Sequence, residues 1–122
     1  MQNKLAASTL KSDAVFEYIN DQVKVQPDKA KSVNGIFLVK ITKDGEIVKE
    51  WTMDLKSASI YEGAGKDVKP NTTLVVSDDD FVELAVGKLN PQQAFMKGKL
   101  KVTGNIMLAQ KLGPLLKAAP KL

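Results

Sequence analysis

The stretch GKLNPQQAFMKGKLKVTGNIMLAQKL, from Gly87 to Leu112, predicts a helix, a strand and the start of a second helix, in that order. Asn90-Pro91 is expected to start a short helix with proline at its first position, where the N–H group that proline lacks would be unpaired in any case, and Gly98 is expected to end it. The residues that follow, KLKVT, alternate lysine with apolar side chains, which is typical of a strand with one buried face. Asn105 is then expected to cap a last, largely apolar helix.

The N-terminal part of the chain predicts a helix followed by a hairpin. Apolar residues recur at helical spacing between Val15 and Val23, and Ser12 is expected to cap this helix. A second short helix is expected to continue through Ala30. Next, the segment GIFLVKI at residues 35–41 is typical of a strand, and the dipeptide Asp44-Gly45 after it is a strong signal for a hairpin turn.

The strand that returns from this turn is expected to run from Glu46 to about Leu55, with two unlike faces. Its core-facing residues are predicted to be Ile47, Lys49, Trp51, Met53 and Leu55, and its solvent-facing residues Val48, Glu50, Thr52 and Asp54.

Two more strands and a helix are predicted between the hairpin and the opening stretch. The strands are expected at residues 57–62 and 72–77. Ser77 and Asp80 have the spacing of a capping box, and the run of acidic residues here favours a helix N-terminus because it complements the helix dipole. Gly87 is expected to end this helix.

Length and composition fit one folded domain. The chain has 122 residues, of which 43% are hydrophobic and 26% charged, as is usual for a globular protein. We expect residues 1–122 to form a single domain, with residues 1–9 and 118–122 flexible. Strands with helices before, between and after them predict an α+β fold, in which a five-stranded, mostly antiparallel sheet has helices covering one face.

The residue types that are missing argue against enzymatic chemistry. The sequence has no His and no Cys, so it lacks the commonest general base, the thiol nucleophile and the main zinc ligands. Asp78, Asp79 and Asp80 lack the spacing of a calcium loop, and GAGK at residues 63–66 lacks the full phosphate-loop pattern. We therefore expect no catalytic residue, no metal and no cofactor. The N-terminus has no apolar core of the signal-peptide type, so secretion is not expected.

Several motifs resemble the sterol carrier protein 2 family, also called non-specific lipid-transfer proteins. The opening stretch is similar to the family signature. The family's strand-to-helix step resembles LVVSDDDFVEL at residues 74–84. Its first hairpin resembles GIFLVKI with EWTMDLKS, and its first helix resembles AVFEYI. The resemblance covers the chain from about Leu10 to Leu122. Within the family, WTMDLKS and GNIMLAQKL most resemble the C-terminal domain of peroxisomal multifunctional β-oxidation enzymes. The chain is then either that domain excised or a stand-alone carrier.

The resemblance implies a hydrophobic tunnel between the sheet and the helices, with the C-terminal segment forming part of its wall. It also implies reversible binding and transfer of fatty acids, fatty acyl-CoAs, sterols or phospholipids, without covalent chemistry. An apolar tunnel needs aliphatic, aromatic and methionine side chains. The expected lipid-binding residues are Phe81, Leu84, Phe95, Met96, Leu100, Ile106, Met107, Leu108, Gln110, Leu112, Leu115 and Leu116. Gln110 is included because its amide can hydrogen-bond an ester or ether oxygen without burying a charge.

The residues themselves leave alternatives open. Periodicity does not distinguish a tunnel wall from a filled core, and a filled core would favour an interaction or tethering domain. Gln110 fits a simple exposed position equally well. Lys97, Lys99 and Lys101 form a basic ridge that suits a CoA phosphate, an anionic membrane or only a solvated strand face.

The C-terminal tripeptide Pro120-Lys121-Leu122 resembles the Ser-Lys-Leu type of peroxisomal address, although proline stands where that signal prefers a small residue. We therefore expect the peroxisomal matrix as the main location, with a cytoplasmic pool. The expected partners are a lipid ligand, a peroxisomal import receptor that binds the tripeptide, and a membrane in transient contact. The protein is expected to be a monomer and to bind no nucleic acid, because it has few aromatic residues for base stacking.

Overall fold

The computed structural model describes residues 10–63, 65, 69–108 and 110–111. In chain order its elements are α1 (Lys11–Val25), α2 (Pro27–Val33), β1 (Ile36–Lys43), β2 (Glu46–Asp54), β3 (Ser59–Glu62), β4 (Thr72–Ser77), α3 (Asp78–Ala85), α4 (Pro91–Met96) and β5 (Leu100–Gly104). Residues 106–108 and 110–111 are also helical and are called the last helix. The strands form a five-stranded sheet in the order β3-β2-β1-β4-β5, in which β1 and β4 are parallel and the other neighbours antiparallel. The predicted α+β class is confirmed.

The core lies between the helices and one face of the sheet. On β1, Phe37, Val39 and Ile41 are fully buried, whereas the residues that alternate with them are only half-buried. Met53 on β2 pairs with Phe37, and Leu74 on β4 pairs with Val39, so both point to the same face. The apolar sides of the helices pack on this face, and the opposite face is the more open one.

The predicted hairpin turn is confirmed, and it is followed by an irregularity in β2. Asp44 and Gly45 have φ values of 55° and 85°, the positive pair that a type I′ turn requires. Beyond the turn the register shifts, so that Ile47 pairs with Thr42 on the open face of the sheet. Ile47 is accordingly 52% exposed, and the prediction that it faces the core was wrong.

Thr52 on β2 was predicted to face solvent, but it is only 2% exposed. Its hydroxyl donates a hydrogen bond of 2.6 Å to the carbonyl oxygen of Gly63. The N–H of Gly63 in turn donates to the carbonyl oxygen of Glu50 at 2.7 Å. Thr52 is thus tied to the residue that follows β3, a contact that the alternation of a single strand does not reveal.

Helix α1 begins earlier than predicted, and its first turn is capped from another element. The helix starts at Lys11, and Ser12 lies buried inside the first turn, so the prediction that Ser12 caps it was wrong. The N–H of Leu10 donates to Oδ2 of Asp13 at 3.0 Å. The N–H groups of Lys11 and Ser12 donate to the carboxylate of Asp78 at 3.1 and 2.8 Å.

Asp78 occupies the first position of α3, so the N-termini of α1 and α3 meet at one buried carboxylate. The cap of α3 itself is as predicted, because Oγ of Ser77 accepts the N–H of Asp80 at 3.1 Å. Gly87, with φ of 83°, follows the end of this helix, also as predicted.

Aromatic stacking joins α1 to β2 and α3. The ring of Phe16 lies 4.4 Å from that of Trp51 and 4.6 Å from that of Phe81, centroid to centroid, with nearly parallel planes. Lys49 adds an ion pair to Asp13 of α1, with 2.8 Å between Nζ and Oδ1. The stacking on Phe16 places Phe81 in the core beneath α1.

Candidate functional site

An apolar pocket of about 290 Å³ lies at the β5 edge of the sheet, between α4 and the last helix, and is partly open to the surface. Its volume is at the lower end of the range typical of small-molecule sites. Its lining residues are Pro91, Gln92, Phe95, Met96, Leu100, Val102, Ile106 and Gln110.

The first wall, α4, is set by local signals in the sequence. Oδ1 of Asn90 accepts the N–H groups of Gln92 and Gln93 at 2.8 and 3.4 Å, which caps the helix. Ala94 is fully buried against the core, so the neighbouring Phe95 and Met96 project away from it. They are 47% and 82% exposed, and both reach the pocket.

The floor of the pocket comes from β5. Leu100 and Val102 are two residues apart and therefore point to the same side of the strand. They pair with Val76 and Leu74 of β4, which places them on the core face of the sheet. Leu100 is 8% exposed and thus joins the pocket to the core.

The second wall, the last helix, is anchored to the start of β4. Gly104 has φ of 99°, and an added Cβ would collide with the backbone oxygen of Asn71. At this close approach the N–H of Asn105 donates to the same oxygen at 3.0 Å, and the hydroxyl of Thr72 donates to the carbonyl oxygen of Asn105 at 2.8 Å. Oδ1 of Asn105 accepts the N–H of Leu108 at 3.2 Å, which is the predicted cap.

The two sides of the last helix face different surroundings. Ile106 and Gln110 are four residues apart, so they lie on one side of the helix, and both line the pocket. Leu108 packs against the core instead, and a Cβ added at Gly35 would lie 2.9 Å from its Cδ1. Gly35 therefore leaves the space that lets the last helix approach the sheet.

The pocket brings together part of the set expected to bind lipid. Phe95, Met96, Leu100, Ile106 and Gln110 meet in its lining. The other members lie elsewhere: Phe81 and Leu84 are buried in the core, Met107 is 73% exposed outside the lining, and Leu108 packs on the core. Leu112, Leu115 and Leu116 lie outside the described residues, as does the tripeptide Pro120-Lys121-Leu122.

Sequence reasoning missed Pro91, Gln92 and Val102 as lining residues. Val102 could have been found from its spacing of two from Leu100 on a strand. Gln92 lies four residues before Met96, on the same side of α4. Its signal is weaker, because a polar side chain on a short helix is usually exposed.

The chemistry of the pocket is apolar with two amides. Apart from Gln92 and Gln110, the lining side chains carry no polar group, and none is ionisable. In the described ranges no cluster of acidic residues could hold a metal ion. Within the same ranges, no helix has the length and apolar character needed to cross a bilayer.

Comparisons with known proteins agree with this geometry. Residues 16–117 match the model of the SCP-2 sterol transfer family. Peroxisomal multifunctional enzyme type 2 of Mus musculus is 45% identical over 116 residues, which are 93% of this chain and 16% of that protein. The apo structure of sterol carrier protein 2 from Yarrowia lipolytica has a TM-score of 0.78 and 31% identity, covering 93% of this chain and 94% of that one.

Another solved structure, sterol carrier protein 2 from Aedes aegypti in complex with the C16 fatty acid palmitate, has a TM-score of 0.68 and 28% identity. It covers 90% of this chain and 97% of that one. The chain spans a fifth or less of the length of the first curated relatives that it matches. The matched residues run from α1 through the last helix, and the sheet order and pocket belong to the same part of the chain. By sequence and by fold, the chain belongs to the SCP-2 sterol transfer family.

Proposed function

We propose that this chain is a non-catalytic lipid carrier that binds the acyl chain or ring system of a lipid in the pocket between α4, β5 and the last helix. The observation that carries the proposal is the lining, which is apolar except for the amides of Gln92 and Gln110. Such a surface can shelter hydrocarbon but offers no ionisable group for acid–base or nucleophilic chemistry. The ligand classes we propose are fatty acids, fatty acyl-CoAs, sterols and phospholipids.

The energy of binding would come from hydrocarbon removed from water. Each buried methylene contributes about 0.8 kcal/mol, so ten of them contribute about 8 kcal/mol before the cost of association is subtracted. Met96 and Phe95 are 82% and 47% exposed and would lose part of this exposed area when an acyl chain lies against them. Methionine adapts to ligands of different shape, which suits loose selectivity.

We propose that Gln110 orients the ligand. Its amide is on the side of the last helix that faces the pocket, one turn after Ile106. An amide can donate to an ester or ether oxygen and does not have to bury a charge to do so. A hydrocarbon without such an oxygen would be held by the apolar lining alone.

Two of the relatives support the setting and the ligand class proposed for this carrier. The similar protein of Mus musculus is a peroxisomal multifunctional enzyme, which supports a peroxisomal setting. The complex of the Aedes aegypti protein with palmitate supports a fatty acyl ligand. An import receptor would bind the C-terminal tripeptide and bring the carrier into the peroxisomal matrix. There the carrier would present lipid to enzyme domains, either as part of the same chain or as a separate protein.

The test is native mass spectrometry of the purified protein, followed by displacement of a fluorescent fatty acid by palmitate, palmitoyl-CoA and a sterol. We expect a bound lipid and competitive displacement. The substitution Ile106→Asp should weaken binding of the fluorescent fatty acid by more than about tenfold, because it places a charge in the apolar lining.

Val25→Asp is the matched control, because Val25 is 72% exposed at the end of α1 and does not line the pocket. It should leave binding unchanged. A folded protein that carries no lipid and releases no probe would refute the carrier function and favour an interaction or tethering domain instead.

A further inference from the structure

We propose that Thr72 is a positioning residue of the lipid pocket. Its hydroxyl holds the start of the last helix, and the position of this helix sets the wall from which Ile106 and Gln110 face a ligand. Thr72 is not among the lining residues, so it would act on a bound lipid only through the helix. The proposal rests on the lipid-carrier function and adds to it the residue that governs how quickly a lipid is released.

Thr72 is a buried polar residue at the first position of β4. It pairs with Phe37 of β1 on one side and with Gly104 of β5 on the other, so it lies inside the sheet. Leu74, two residues further along the strand, is buried in the core, so the side chain of Thr72 points to the same face. A residue that is only 1% exposed needs a partner for its hydroxyl, and Thr72 finds it in the carbonyl oxygen of Asn105 at 2.8 Å.

Asn105 is held at both of its backbone groups by two successive residues. Its carbonyl oxygen accepts the hydroxyl of Thr72, and its N–H donates to the carbonyl oxygen of Asn71 at 3.0 Å. Its side chain accepts the N–H of Leu108 at 3.2 Å, inside the first turn of the last helix. The direction in which this helix leaves the sheet is therefore set at Asn105. Of the two bonds from residues 71 and 72, the one from Thr72 is made by a side chain and can be removed by substitution.

Asn71 is itself tied to β1. Its N–H donates to the carbonyl oxygen of Ile36 at 2.8 Å, and its Oδ1 accepts the N–H of Ile36 at 2.9 Å. Directly before Ile36, Gly35 leaves the space against which Leu108 packs. The starts of the parallel strands β1 and β4 thus form one platform on which the last helix rests.

A small change in the direction of the last helix has a large effect at Gln110. Gln110 follows Asn105 by five residues, so it lies about 7.5 Å further along the helix axis. A tilt of about 10° at Asn105 would then move Gln110 by about 1.3 Å. Because hydrogen bonds form only between roughly 2.7 and 3.2 Å, such a shift would break a bond between the amide and a ligand oxygen. Loss of the Thr72 hydroxyl should therefore weaken the hold on a ligand that Thr72 never contacts.

The test compares two substitutions that take away different parts of the Thr72 side chain. Thr72→Val keeps the shape but removes the hydroxyl, whereas Thr72→Ser keeps the hydroxyl but removes a buried methyl group. Both should lower the free energy of unfolding by similar amounts, because a hydrogen bond and a buried methyl group contribute about equally to stability. The dissociation rate of a bound fluorescent fatty acid is then measured by stopped flow, with an excess of palmitate as the competitor.

We expect Thr72→Val to raise the dissociation rate about fivefold, the factor that corresponds to one hydrogen bond of about 1 kcal/mol. Thr72→Ser should release the probe at the native rate, although its stability is lowered as well. In the protein without ligand, the amide protons of Asn105 and Leu108 should exchange with solvent faster in Thr72→Val than in Thr72→Ser, because only the first substitution loosens the last helix.

The matched control is Thr73→Val, because Thr73 is the next residue of β4 and faces the opposite side of the sheet. It should leave probe release and amide exchange unchanged. If Thr72→Val and Thr72→Ser speed release equally, or if neither does, Thr72 is a structural residue alone and the positioning role is overturned. An effect of Thr73→Val as large as that of Thr72→Val would overturn it as well.

The unsubstituted chain separates this proposal from the carrier function. If it binds the fluorescent fatty acid but release does not distinguish Thr72→Val from Thr72→Ser, only the positioning role fails. If it is folded and binds no probe, the carrier function fails and the positioning role fails with it.

Discussion

Replacing Asp78 with alanine tests the buried carboxylate at which α1 and α3 meet. Asp78 is 4% exposed and accepts the N–H groups of Lys11 and Ser12 at 3.1 and 2.8 Å. Hydrogen bonds to a charged group contribute about 1.5–3 kcal/mol each, and the two are not independent. We therefore expect Asp78→Ala to lower the free energy of unfolding by about 3 kcal/mol, a large part of the ~5–15 kcal/mol typical of a domain.

The assay is chemical and thermal denaturation followed by circular dichroism, with Asp79→Ala as the matched control. Asp79 shares the first turn of α3, so both substitutions remove a similar interaction with the helix dipole. Its ion pair with Lys11 is exposed, however, with 73% and 74% of the two side chains accessible, so its loss should cost less than about 1 kcal/mol. The melting temperature should fall by about 10 °C for Asp78→Ala and by a few degrees at most for Asp79→Ala. Equal losses in the two variants would refute the reasoning, because the burial of the carboxylate would then have no consequence.

Two further changes test other parts of the fold by the same assay. Gly104→Ala should lower the free energy of unfolding by more than about 2 kcal/mol, because φ is 99° and the new Cβ would collide with Asn71. The control is Gly87→Ala, where φ is 83° and the space around the residue is open. This control measures the backbone cost alone, which we expect to be about 1 kcal/mol. Equal losses would contradict the collision. Ser12→Ala should leave stability unchanged or raise it by up to about 1 kcal/mol, because its buried hydroxyl has no hydrogen-bond partner among the described residues. A loss of about 1 kcal/mol would instead support a capping role for Ser12.

The pocket could be predicted from the sequence only in part. Phe95, Met96 and Ile106 belong to one apolar stretch near the C-terminus, and the structure brings them together around a single space. Phe81 has the same apolar character, yet it stacks on Phe16 beneath α1. Helical periodicity reports which side of a helix is apolar but not whether that side meets another side chain or an empty volume. Only the relative placement of the elements separates a lining residue from a core residue.

The elements and their limits were determined by the sequence itself wherever the deciding interactions are local. Asn90, Ser77 and Asn105 cap helices through N–H groups only two or three residues away, and Asp44-Gly45 forms a turn whose positive φ values few other residues tolerate. These interactions depend on near neighbours in the chain, so the order of helices and strands follows directly from the sequence.

The tertiary structure alone decided the features that join residues far apart in the chain. Asp78 caps α1 across an interval of 66 residues, and the buried hydroxyl of Thr52 donates to the carbonyl oxygen of Gly63, which follows β3. The pocket lies where residues of α4, the last helix and the edge strand β5 come together. A local pattern specifies the apolar side of each element, but a cap supplied from a distance, a buried polar side chain and an open volume depend on how the elements meet in space.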